Sequence, residues 1–85
     1  MCSYVVEKAA LTGCAKADGT WRPITDAVVA VDHPSHATLD HALIVDFVNA
    51  GRPVSERVAL ELSVASARDL ITAMQAALDA FGQGA

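Results

Sequence analysis

In Arg57-Val58-Ala59-Leu60-Glu61-Leu62-Ser63-Val64-Ala65-Ser66-Ala67-Arg68-Asp69-Leu70-Ile71-Thr72-Ala73-Met74-Gln75-Ala76-Ala77-Leu78-Asp79-Ala80-Phe81-Gly82 the apolar period changes once, at Ser63. Before it, Val58, Leu60 and Leu62 alternate with Ala59 and Glu61, the two-residue period of a half-buried strand. After it, Val64, Ala67, Leu70, Ile71, Met74, Ala77, Leu78 and Phe81 recur at helical spacing and make one apolar stripe. Ser63 can cap this helix, and Ser66 with Asp69 offers an alternative capping box. Gly82 is a natural C-terminal stop. A strand running directly into an amphipathic C-terminal helix points to an α+β fold.

Upstream, three more strands are expected. Ser3 to Thr12 is the first. Gly13 to Thr20 holds Asp18-Gly19, a tight-turn dipeptide. The second strand begins near Trp21, admits Pro23 only at an edge or bulge, and runs through Ala27-Val28-Val29-Ala30-Val31. Asp32 to Asp40 is a polar connection, His41 to Val48 the third strand, and Asn49-Ala50-Gly51-Arg52-Pro53 a turn. The expected architecture is a four-stranded antiparallel sheet with the C-terminal helix packed on one face. Leu43, Val45, Phe47, Val58, Leu60 and Leu62 would form the sheet side of the core. Leu70, Ile71, Met74, Leu78 and Phe81 would form the helix side. Ile44, Asp46, Val48, Ala59 and Glu61 would share the other sheet face.

The 85 residues allow one domain, residues 1–85. A chain this short is marginal for a free-standing core. Yet 53% of it is hydrophobic, which fits apolar surface buried against a partner subunit. A homodimer is the cheapest arrangement. The net charge of −4, with six scattered Lys and Arg, argues against nucleic acid and an anionic membrane surface as partners. No apolar run approaches the ~20 residues of a membrane span. Residues 1–8 lack the basic start and apolar stretch of an export signal. A cytoplasmic setting follows, with Cys2 and Cys14 as reduced thiols. Each is read first as a small structural residue, and second as a nucleophile or ligand.

All three histidines fall in Asp32-His33-Pro34-Ser35-His36-Ala37-Thr38-Leu39-Asp40-His41, and Pro23 to Gly51 contains no Lys or Arg. An imidazole-rich, acidic stretch without cations suits a divalent metal. His33 and His41 can face each other across a hairpin, with His36 folding back from the loop. Asp32 or Asp40 would add a fourth or outer ligand. Zinc is the first candidate, with other divalent transition metals also suited to imidazole and carboxylate donors. The spacing His-x2-His-x4-His matches no established metal motif, so ordinary loop histidines and a pH-responsive loop stand beside this reading. Glu7, Asp46 and Glu61 are mid-strand carboxylates that could converge on the face away from the helix, or simply mark a solvated face. Trp21 and Tyr4 are possible interface anchors.

Four segments together carry a resemblance: Met1-Cys2-Ser3-Tyr4; Val31-Asp32-His33-Pro34 with His36; His41-Ala42-Leu43-Ile44-Val45-Asp46-Phe47-Val48-Asn49; and Arg57 to Ser63. The chain resembles a family of short bacterial, actinobacterial-type proteins of unknown function. The resemblance implies single-domain boundaries and a bacterial cytosolic setting, and supplies no activity. Two functions are therefore compatible with the sequence. One is a small non-catalytic binding or accessory protein that docks a protein partner or small molecule, its most specific possible activity being metal binding through the His/Asp hairpin. The other is a metal-dependent hydrolase or isomerase using the same three histidines.

Overall fold

The sheet is built from consecutive strands, each paired with the next, in a computed structural model that describes residues 5–82. The strands are β1 (Val5–Ala17), β2 (Thr20–Asp32), β3 (Ala42–Val48) and β4 (Val58–Leu62), in spatial order β1-β2-β3-β4 and antiparallel throughout. A short 3-10 turn, Val54–Glu56, precedes β4, and one helix, α1 (Val64–Phe81), follows it. The expected α+β arrangement, four antiparallel strands and a C-terminal helix, is the one present.

The first turn follows from its dipeptide. Asp18 and Gly19 both take positive φ, 53° and 76°. That pair of conformations makes the tight turn whose twist matches the flanking strands. The hairpin it closes is longer than the sequence suggests. Gly13 to Ala17 belong to β1, pairing with Ile24 to Thr20, although the stretch Gly-Cys-Ala-Lys-Ala has none of the β-branched residues that signal a strand. Ser3 and Tyr4, placed in the first strand from sequence, and Cys2 lie outside the described residues.

Between Ala10 and Gly13 the β1–β2 register shifts by one residue. Ala10 is opposite Asp26 and Gly13 opposite Ile24, so β1 carries one residue more than β2, a β-bulge. Beyond this point the hairpin is a two-stranded arm, because β3 pairs with β2 only over Asp26–Asp32. Pro23 sits on that arm opposite Cys14. Its carbonyl accepts from Asn49 Nδ2 at 3.1 Å. A strand residue turns its N–H and C=O to the same side, so the missing proline N–H faces away from β1 and costs no ladder bond.

Register sorts the side chains into two faces. Ala27, Phe47 and Val58 line up across the strands, as do Val29, Val45 and Leu60, and Val31, Leu43 and Leu62. This apolar face holds the expected sheet half of the core, and Ala27 and Val45 on it are buried. Asp26, Val28, Ala30, Ile44, Asp46, Val48, Ala59 and Glu61 share the other, mixed face. Glu7 pairs with Val29, which puts it on the apolar face. It therefore cannot converge with Asp46 and Glu61, because β1 has the opposite parity from the one assumed.

The helix starts where its cap predicts. Ser63 Oγ accepts from Ser66 N–H at 3.0 Å, and Gly82 ends the helix with φ 103° and its N–H on Leu78 O at 3.1 Å. Ser66 is thus inside the first turn, and the alternative capping box is not used. α1 lies against β3 and β4, but Ala67 is its one buried residue. The expected helix half of the core is exposed: Leu70 41%, Ile71 62%, Met74 57%, Leu78 56% and Phe81 72%. An 18-residue helix is about 27 Å long, while β4, the five-residue strand it follows, is only about 17 Å long. The stripe is where the periodicity puts it, but beyond the first turns no described residue covers it.

Candidate functional site

Residues 33–41 join β2 to β3 and hold the histidines. The connection is fastened at both ends. At its start, His33 N–H donates to Asp32 Oδ1 at 2.7 Å, and His33 Nδ1 lies 2.7 Å from the Asp40 carbonyl. A carbonyl can only accept, so Nδ1 carries the proton and Nε2 is the basic nitrogen. The His33 and His41 rings stack, centroids 4.9 Å apart and planes 29° from parallel. The hairpin therefore brings these two imidazoles together, as their positions at its two ends suggest.

His36 does not join them. The connection's middle is bound to β4 by Glu61, whose carboxylate accepts three backbone N–H groups: Ser35 at 2.6 Å, His36 at 2.9 Å and Ala37 at 2.9 Å. Successive amides turned toward one point form an anion-binding nest. Here a side chain of the same molecule fills it. The N–H groups of Ala37, His36 and Ser35 stabilise the ionised form, and the carboxyl is held below its ordinary value. His36 instead lines a shallow recess on the mixed face with Ser35, Ile44, Asp46, Arg57, Ala59 and Glu61. Asp46 pairs there with Arg57, Oδ1 to Nε at 3.3 Å. Among the described residues no three His, Cys, Asp or Glu side chains are grouped so as to hold a metal ion. The Asp32 carboxylate accepts the His33 backbone N–H, while Asp40 meets the His33 ring through its backbone carbonyl.

The role of Glu61 was not read from sequence. An acidic residue at mid-strand is ordinary on a mixed face, and its partners lie 24 to 26 residues away. Nothing local to Glu61 distinguishes it from a solvated carboxylate, so the sequence carries no signal for this contact.

A second concavity lies where the arm leaves the sheet. Its walls are Trp21, Pro23, Ile24, Phe47 and Val58, rimmed by Arg22, Arg52 and Glu56, and it encloses about 390 Å³. The turn after β3 is fastened to β2 here: Ala50 N–H donates to Thr25 Oγ1 at 2.9 Å, and Asn49 bonds Pro23. Arg52 grips Glu56 through two nitrogens at 2.9 and 3.1 Å, and this hydrogen bonding lowers the Glu56 pKa. Trp21 is 65% exposed, with Lys16 Nζ 5.9 Å above its ring across the hairpin. Cys14, on the same arm, is a free and exposed thiol rather than a buried structural residue.

The third feature is the apolar stripe of α1. Leu70, Ile71, Met74, Leu78 and Phe81 are separated by helical steps of one, three or four residues and all exposed. Arg68, Asp69 and Asp79 are the charged residues of the helix, and they lie off the stripe. The described helix is not long and apolar enough to cross a membrane.

Over residues 1–85 the chain matches the model of a family of unknown function (DUF6295). No curated protein and no solved structure matches it.

Proposed function

Because the chain belongs to that family of unknown function, no activity comes to it by kinship, and we propose from its own surfaces that it is a small non-catalytic binding or accessory protein. The observation that carries this reading is the exposed stripe of α1. A contiguous apolar patch of this kind is a contact surface in a stable protein. Met74 lies in its middle and reports on it, because thioether oxidation follows exposure. In a native extract of cells making the protein, peroxide should oxidise Met74 several-fold more slowly than in the urea-unfolded chain. Equal rates would mean that nothing covers the stripe, and the reading would fail.

A divalent metal is the second reading, and the His33–His41 pair favours it. Two imidazoles are adjacent, and His33 donates Nδ1–H to a backbone carbonyl, the outer contact that commonly orients a metal-bound histidine. Zinc suits such donors. Protein purified without a histidine tag should then carry or take up about one zinc per chain at neutral pH. Replacing His33 and His41 together should abolish this, and acid should release the ion. Elemental analysis showing no zinc after incubation with zinc ends this reading and leaves the contact surface unaffected.

A further inference from the structure

We propose that the stripe of α1 is covered by a second copy of this chain, so that the folded unit is a two-fold dimer. This rests on the reading of the stripe as a contact surface and names its occupant.

A folded monomer of 8.8 kDa exposes about 4,800 Å² by the usual scaling of surface with mass. This chain exposes 6214 Å². The difference is about 1,400 Å² per chain, and stable interfaces take roughly 800 Å² or more from each partner. Shape agrees. The radius of gyration is 14.0 Å, against about 12 Å for a compact chain of this length, and the extents are 41 × 31 × 24 Å.

The core agrees as well. Among the described residues the buried side chains are Ala27, Ala42, Val45 and Ala67, and no large side chain is fully buried. A chain with so thin an interior needs its cover from the moment it folds. The one partner that its own synthesis always supplies is another copy. Two-fold pairing is also self-consistent, since each stripe is presented once by each chain.

Charge argues against the membrane alternative. Surface-lying helices are rich in Lys and Arg on the polar face. This helix has Arg68 against Asp69 and Asp79, in a chain of net charge −4. Electrostatics therefore offers no attraction to anionic lipid, while the uncharged stripe places no like charges together in a dimer.

The test is the mass in solution, by light scattering across a dilution series of the purified full chain. The expected result is twice the chain mass, with a midpoint of thermal unfolding that rises with protein concentration. Met74→Lys should weaken association at least about 100-fold, because a two-fold interface loses the central contact twice. Ala76→Lys, on the opposite side of the helix, should leave the dimer intact. If Met74→Lys does not fold, peroxide oxidation of Met74 in the pure wild type decides: it should be slow where the chain is dimeric and speed up on dilution to monomer, and a dimer whose Met74 is oxidised as fast as in the monomer would overturn the proposal. A dimer indifferent to Met74→Lys would overturn the proposal, since another surface would then be responsible. A monomer whose Met74 is oxidised freely when pure but protected in extract would overturn the second copy and keep the contact surface. A monomer whose Met74 is oxidised freely in both would remove both.

Discussion

Val45 is the test of where the interior lies. It sits at the centre of the apolar face, opposite Val29 on one side and Leu60 on the other, and is 9% exposed. Val45→Ala removes two carbons that are almost wholly out of water. At ~0.8 kcal/mol per buried methylene the lost transfer energy is about 1.5 kcal/mol. The space left, about 50 Å³, adds up to about 1.2 kcal/mol if the neighbours do not close it, at about 24 cal/mol per Å³. The expected loss is therefore about 2–3 kcal/mol, or about 8–24 °C in a chain of this size. Val6→Ala is the control. Val6 is 58% exposed on the outermost strand, and its truncation should stay within about 0.5 kcal/mol. Urea unfolding of both variants at one fixed protein concentration makes the comparison, so that any association contributes equally. If the Val45→Ala midpoint falls no further than the Val6→Ala midpoint, the apolar face is not the core and the assignment is wrong.

Glu61→Gln should free the middle of the β2–β3 connection, seen as faster hydrogen exchange at the amides of Ser35, His36 and Ala37. Because the folded state holds this carboxyl below its ordinary value of 4.5, the stability it gives is complete above that value. It is lost as pH falls from there through the lower folded value, and the variant should lack this part of the acid dependence; unchanged amide exchange would refute the contact. Ser63→Ala should cost about 1 kcal/mol through loss of the cap on Ser66 N–H, while Ser66→Ala should cost under about 0.5 kcal/mol, and melts followed by circular dichroism that reversed this order would put the helix start elsewhere.

Local chemistry carried most of the fold. Ser63, Gly82 and Asp18-Gly19 each act within a few residues of themselves, so cap, stop and turn were readable from single positions. Alternation in β3 and β4 gave their faces correctly, because register preserves parity along a strand. Glu7 shows the limit: its face depends on which β2 residue stands opposite, and no residue of β1 reveals that. The stripe of α1 shows another. Periodicity tells which side of a helix is apolar, but not whether the same chain supplies the cover. For the candidate sites, the meeting of His33 and His41 was legible because they bracket one connection. The grip of Glu61 on that connection was not, because it joins segments remote in sequence.

The extra residue in β1 makes the chain unevenly tolerant of changes in length. At most positions in β1, deleting one residue would slide the rest of the strand by one and turn every later side chain to the wrong side. At Leu11 or Thr12 the same deletion would do the opposite. Ala10 would still face Asp26, the segment from Gly13 onward would still face Ile24 to Thr20, and a continuous ladder would close between them. Only the local bend and added twist would go, and with them the angle at which the arm leaves the sheet. The pairing of the hairpin and the aim of its arm are thus set separately, and a single deletion can alter the second while leaving the first intact.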